Sequence, residues 1–179
     1  VGYSKKIIYR NKAKIDDDIY VTGNLGDSFV GLRILQNKIR FKNNKKNYFI
    51  KKYFLPEIQI NLTKELLKFA NTSIDISDGV ITDLEKMINF QKFSYKLNLK
   101  HIPISNNLKK IINIKKLKKI NFISNGDDYQ ILFTASKNKR RIIKNIALKN
   151  RIKITNIGKI QSINKKSSIV NEKNIKIML

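Results

Sequence analysis

The sequence predicts an α/β or α+β fold, with strands and helices alternating in one domain. Three observations carry this. Short β-branched runs such as Ile19–Val21 and Ile131–Phe133 alternate along the chain with segments of helical period. The strands and helices are interleaved, so neither an all-α nor an all-β class fits. At 179 residues and 41% hydrophobic, the chain is long and apolar enough for one ordinary core.

The elements follow in order. Val1–Tyr9 reads as a strand whose partner lies at an edge or outside the chain. Asp16–Asp18 is a turn into a strand, Ile19–Gly23, and Asn24–Asp27 punctuates before a helix that Asp27 caps. Lys42–Asn47 reads as a solvated loop, and a helix then runs to Leu55, where Pro56 stops it. A short helix spans Leu62–Phe69, with Leu62, Leu66 and Phe69 on one face. Tyr95–Leu99 alternates as a strand, continued by His101–Ser105. Asn106–Phe122 reads as helical, Tyr129–Ala135 as a strand, Lys139–Leu148 as a helix and Ile152–Ile160 as a strand or strand pair. From Gln161 the polar tail reads as loosely held.

Composition excludes several chemistries. There is no cysteine, so neither disulfides nor thiolate metal sites can form, and a reducing cytoplasm is the compartment expected. No stretch approaches the roughly 20 apolar residues of a membrane helix, so no membrane association is expected. His101 is the single histidine, beside a proline at a strand end. It is read as structural, and a Ser/His/Asp triad is not expected. The charge is +25, from 38 basic against 13 acidic residues. The lysines are spread along the chain rather than gathered, which fits compositional bias with nucleic acid bound only nonspecifically. Lys45–Tyr53 interleaves lysine with aromatics, the best local candidate for a nucleic-acid patch. An amphipathic helix bringing Tyr48, Phe49, Lys52 and Tyr53 together explains it equally well and is preferred.

Chemistry concentrates in three segments. In Ile74–Val80 (IDISDGV) a strand pattern hands over to a helix pattern, Val80, Ile81, Leu84, Met87 and Ile88, with two carboxylates and a hydroxyl at the junction. Helix capping accounts for one or two of these polar groups. The alternative is a magnesium–phosphate site, because Mg2+ takes hard oxygen ligands and a helix start offers N–H groups to an anion. In Ser124–Phe133 (SNGDDYQILF) a Gly-Asp-Asp turn feeds a strand: plain turn chemistry, or a carboxylate facing a cationic ligand. In Asp18–Asp27 (DIYVTGNLGD) a strand, a glycine turn and a helix start follow one another, without a P-loop or a G-x-G-x-x-G signature.

These runs, in this order, resemble the carboxy-terminal domain of thiamine-monophosphate kinase, in the superfamily that includes aminoimidazole ribonucleotide synthetase. Asp18–Asp27 is similar to that family's Asp-x-Ile-Tyr-Val-Thr-Gly-x-Leu-Gly-Asp, and Asp75–Val80 to its Asp-Ile-Ser-Asp-Gly-Leu. Gly126–Phe133 is similar to its Gly-Glu-Asp-Tyr-Glu-Leu-Leu-Phe, and Ile157–Ile160 to its Ile-Gly-x-Ile. The resemblance implies an α+β fold, a mixed β-sheet with helices packed on one face, and a kinase that uses ATP and Mg2+ to phosphorylate thiamine monophosphate to thiamine diphosphate. Asp75 and Asp78 would be metal ligands, Ser77 and Arg10 ATP contacts, and Asp127 a contact to the cationic substrate. Phosphoryl transfer depends on positioning and charge neutralisation more than on covalent help, so no catalytic residue is assigned.

The sequence departs from the family in placing Asp127 where the family has glutamate and Asn11-Lys12 where it has Ser-Gly. It also ends at Ile177-Met178-Leu179, without the family's terminal aromatic segment. The implied organisation is a remnant strand of a missing amino-terminal ATP-binding domain over 1–9, the kinase domain over 10–165, and a tail over 166–179. The chain alone is expected to be inactive. A separately encoded amino-terminal half and a homodimer are the implied partners. Other readings are a different enzyme of the superfamily, such as a selenophosphate synthetase or a hydrogenase-maturation factor, and a basic nucleic-acid-binding protein.

Overall fold

Strand β1 (Asp18–Thr22) is buried at every residue, because its alternate side chains enter two different cores. Ile19 and Val21 point to one face of the sheet, and Tyr20 to the other. The computed structural model describes residues 6–41, 45–88, 91–171 and 176–177. Around β1 the sheet runs β2 (Thr72–Asp75), β4 (Ile131–Ala135), β1, β5 (Ile154–Gln161), β3 (Ser94–Asn98), β6 (Ser168–Val170), β7 (Lys176–Ile177). The β3–β6 pair is parallel and the other pairs antiparallel, so the sheet is mixed, as expected for an α+β chain.

The helices do not all lie on one face. Helix α4 (Val80–Ile88) buries Val80, Leu84 and Met87 against Ile19, Val21, Ile74 and Leu132. Helices α3 (Ile60–Leu66) and α7 (Arg140–Asn150) cover the opposite face, packing Leu62, Leu66, Ile143 and Ile146 on Tyr20 and Phe133. The Tyr20 and Phe133 rings stack at 5.1 Å across the β1–β4 pair. The expectation of one covered face failed because β1 and β4 carry large apolar side chains on both sides. A third cluster joins α1 (Asp27–Leu35), α2 (Lys45–Phe54), α5 (Asn106–Lys115) and α6 (Ile120–Ile123) through Val30, Phe49, Leu108, Ile111 and Phe122. Phe49 is fully buried there, so the aromatics of Lys45–Tyr53 serve the core as an amphipathic helix should.

Other boundaries moved for identifiable reasons. Residues 6–9 form no strand: Ile7 and Tyr9 are more than half exposed, while Ile8 packs beside Tyr20. Val1–Lys5 lie outside the described residues. His101–Ser105 does not extend β3; the chain turns, and Ser105 caps α5 by accepting from the Leu108 N–H at 3.0 Å. Lys116, in left-handed conformation, splits the expected helix 106–122 into α5 and α6. The tail is not loose throughout, since Ser168, Ile169 and Val170 are buried in parallel register with Lys96, Leu97 and Asn98. Helix α2 begins at Lys45 and so absorbs part of the expected 42–47 loop, of which 42–44 lie outside the described residues.

Candidate functional site

Strand β2 ends at Asp75, paired with Ile131 of β4, and the ladder continues past both strand ends. The Ile76 N–H donates to the Gln130 carbonyl at 2.8 Å, the Tyr129 N–H to Ile76 at 2.9 Å, and the Asp127 N–H to Ser77 at 3.1 Å. The Asp75–Val80 run and the Gly126–Phe133 run are therefore zipped together backbone to backbone. Two glycines permit the crossing. Gly79 has φ +117°, and a Cβ there would meet the Ser124 carbonyl. At Gly126 a Cβ would land on the Ser77 carbonyl.

The zipper sets the site residues at one edge. Asp75 and Asp78 are exposed, Ser77 and Asp127 half-buried, all around the head of α4. Asp127 sits in the left-handed region at φ 66°, and Tyr129 follows at φ 49°. Two such non-glycine residues in three mark a turn whose shape is imposed by its surroundings. Arg10 is elsewhere. It is exposed and precedes Asn11, whose N–H donates to the Met87 carbonyl at 3.1 Å. Met87 lies nine residues beyond Asp78, roughly 13 Å at 1.5 Å per residue. The structure thus draws the backbone of Asp75–Asp78 alongside that of Asp127 and leaves Arg10 at the far end of α4.

Three buried carboxylates hold this edge from behind. Asp83, on α4 and fully buried, accepts from the N–H groups of Ser77, Asp78 and Gly79 at 2.9, 2.8 and 3.1 Å through one oxygen. Its other oxygen lies 3.3 Å from the Lys86 ammonium, which also pairs with Asp78. Asp128 turns inward where Asp127 turns outward, and accepts the Gly26 N–H at 2.7 Å and, at a longer 3.4 Å, that of Ser28. It thereby caps α1. Asp27 was the expected cap, yet it is the first helical residue behind left-handed Gly26 and makes no cap bond. Its carboxylate instead accepts from Tyr48 Oη at 2.8 Å and Ser105 Oγ at 2.7 Å, tying α1 to α2 and α5. Burial, with the Asp27 charge beside it, pushes the Asp128 carboxyl up to about 7 against the pull of the two N–H donors. Burial also raises Asp27. A cavity of about 190 Å3, with Asp27, Ser28, Lys52, Gln59, Asp128 and Lys153 among its walls, lies on this inner side.

Sequence reasoning missed Asp83 and Asp128. A signal for Asp83 was present: it falls three residues after Val80 and four before Met87, on the apolar stripe of α4, where a carboxylate requires partners. For Asp128 the doublet Asp127-Asp128 gave no indication of which side chain faces inward.

Among the described residues this edge offers hard oxygen donors, three carboxylates and a hydroxyl, with neither sulfur nor imidazole beside them. Among the described residues no three acidic, histidine or cysteine side chains converge as a metal-binding group. The donor set accordingly fits an ion that takes one or two carboxylates and completes its shell with phosphate and water. Among the described residues no helix is long and apolar enough to cross a membrane.

Comparison with known proteins agrees with the motifs. The chain is 41% identical over 175 residues to thiamine-monophosphate kinase of Buchnera aphidicola subsp. Schizaphis graminum, covering 96% of this chain and 53% of that relative. Its fold matches the crystal structure of thiamine monophosphate kinase from Aquifex aeolicus with a TM-score of 0.79 at 25% identity, over 99% of this chain and 57% of that one. A structure of AaThiL complexed with AMPPCP and TMP matches with a TM-score of 0.77 at 25% identity, over 96% of this chain and 52% of that one. No protein-family model matches. The chain spans about half the length of these relatives, and over that half it is similar to thiamine-monophosphate kinases in both sequence and fold.

Proposed function

We propose that this chain is the carboxy-terminal half of a kinase that transfers the γ-phosphoryl group of ATP to thiamine monophosphate, giving thiamine diphosphate, and that it works with an amino-terminal half. The observation that carries this is the junction of β2 and α4. There Asp75, Ser77 and Asp78 face solvent within four residues, braced by the turn that presents Asp127. In this reading Asp75 and Asp78 hold Mg2+, which would neutralise charge on the transferring phosphoryl group. Ser77 donates to a phosphate oxygen of ATP, and Asp127 orients thiamine monophosphate through its cationic thiazolium. Arg10, at the other end of α4, reaches a different part of the nucleotide. The AaThiL complex with AMPPCP and TMP supports ATP and thiamine monophosphate as the substrates.

Two carboxylates alone bind Mg2+ weakly, so turnover needs further ligands from the other half. In this reading the assembled enzyme is a cytoplasmic homodimer. The test mixes the purified chain with the amino-terminal half of a relative, ATP, Mg2+ and thiamine monophosphate. Thiamine diphosphate should form in the mixture and stop with Asp78→Asn. Turnover by the chain alone would remove the need for a second half, and a silent mixture of two folded halves would overturn the assignment.

A further inference from the structure

The buried carboxylate behind the site does more than cap a helix. Asp83 places one oxygen at the centre of three consecutive N–H groups, those of Ser77, Asp78 and Gly79. The first two are residues whose side chains the proposed site uses, and their backbone direction decides where Ser77 Oγ and the Asp78 carboxylate point. The anion position at the head of α4 is thus filled by the protein itself. A phosphate cannot bind there, and must meet side chains farther out. The second oxygen of Asp83 faces Lys86, and the same ammonium pairs with Asp78. Lys86 thus bridges an internal carboxylate and an exposed one.

We propose that Asp83 is a positioning residue of the candidate site, and that Lys86 is its resident counter-ion, occupying the Asp78 carboxylate that a divalent cation must win. This rests on the reading of Asp75 and Asp78 as metal ligands. The two residues then act in opposite directions on metal binding. Removing Asp83 releases the loop and weakens binding. Removing the Lys86 charge frees Asp78 and strengthens it. A general loss of stability cannot produce both signs, which separates this proposal from simple helix capping.

The experiment uses the 179-residue chain labelled with 15N, with Mn2+ alone as a paramagnetic probe. In the unaltered protein, Mn2+ should selectively broaden the amide signals of Asp75, Ser77 and Asp78. In Lys86→Met the same broadening should need about fivefold less Mn2+, the scale of one unit charge removed from about 4 Å away in water. In Asp83→Ala it should need at least about tenfold more, with Asp83→Asn in between because one carbonyl can still accept. Hydrogen exchange supplies a readout independent of metal. The Ser77, Asp78 and Gly79 amides should be protected in the unaltered chain and in Lys86→Met, and exposed in Asp83→Ala while β4 stays protected. Should Asp83→Ala fail to fold, Asp83→Asn carries the comparison. Protected loop amides without the Asp83 carboxylate, or unchanged or weaker Mn2+ binding in Lys86→Met, would overturn the proposal. No selective broadening in any variant would sink the metal reading and the Lys86 role with it, while exchange would still decide the role of Asp83.

Discussion

Replacing Gly126 by alanine isolates the contact on which the site's geometry depends. The added Cβ would land on the Ser77 carbonyl and lie 2.8 Å from the Asp78 Cα, so backbone meets it on two sides. Neither neighbour is a flexible side chain that can swing away. The two loops must separate, which gives up the Asp127 N–H bond to Ser77. Overpacking of this kind costs about 1–3 kcal/mol, and the lost hydrogen bond about 1 kcal/mol more. The sum is about 3 kcal/mol, or a fall in Tm of about 6–12 °C for a domain of this length. Thermal unfolding followed by circular dichroism measures it. Ser77→Ala is the control, because it removes the hydroxyl and leaves the backbone crossing intact; its Tm should stay within about 2 °C. If Gly126→Ala melted as close to the unaltered chain as the control does, the two motifs would not be locked together as described, and Asp127 would not be held beside Ser77 by this contact.

Three further outcomes are expected. Asp128 has its carboxyl raised to about 7, so its contribution to stability is complete below the unfolded value of 3.8 and is lost as pH rises through 7. Asp128→Asn should therefore gain on the unaltered chain between pH 4 and 7, by up to about 4 kcal/mol, read from urea midpoints at several pH values; a constant difference would refute it. Asp18 is the opposite case. Burial would raise it, but the two bonds from Arg140, at 2.6 and 2.8 Å, together with Asn156 and Tyr20, hold it below the usual carboxylate range. Its stabilisation is present above the unfolded value and lost as pH falls through the folded one. Arg140→Gln should accordingly cost about 2 kcal/mol at pH 7 and progressively less as pH falls through the carboxylate range, again by urea unfolding. Finally, with a charge of +25 the chain should bind duplex DNA with steep salt dependence and no preference among sequences of equal length, measured by fluorescence anisotropy; a salt-resistant preference for one sequence would contradict the spread of its lysines.

Period and punctuation made most of this fold legible. The handover from β2 to α4 was readable because Ile74 and Ile76 alternate while Val80, Ile81, Leu84 and Met87 recur at helical spacing. The end of α2 before Pro56 was readable for a local reason too. What stayed hidden depends on partners distant in sequence. Ser168–Val170 is a polar-flanked triplet that becomes a strand only because β3 presents a free edge to it. The two-faced burial of β1 requires α4 and α3 to arrive from different parts of the chain, and no local pattern announces that.

The candidate site divides along the same line. Asp75, Ser77, Asp78 and Asp127 were singled out as polar residues crowded at a strand–helix junction and at a turn, with their roles taken from the resemblance; Asp75 and Asp78 are exposed, Ser77 and Asp127 half-buried. Of the buried carboxylates, Asp83 left a sign that was passed over, a charge on an apolar helix stripe, whereas capping at a distance leaves no spacing to read: Asp128 acts on Gly26 and Ser28 about 100 residues away. The difference has a physical consequence. A carboxylate exposed at the edge contributes little to folding and can be exchanged at small cost in stability. A buried one fixes backbone N–H groups, and its loss leaves them unsatisfied. Stability measurements should therefore single out Asp83 and Asp128, and metal titration Asp75 and Asp78, so the two sets can be told apart without observing turnover.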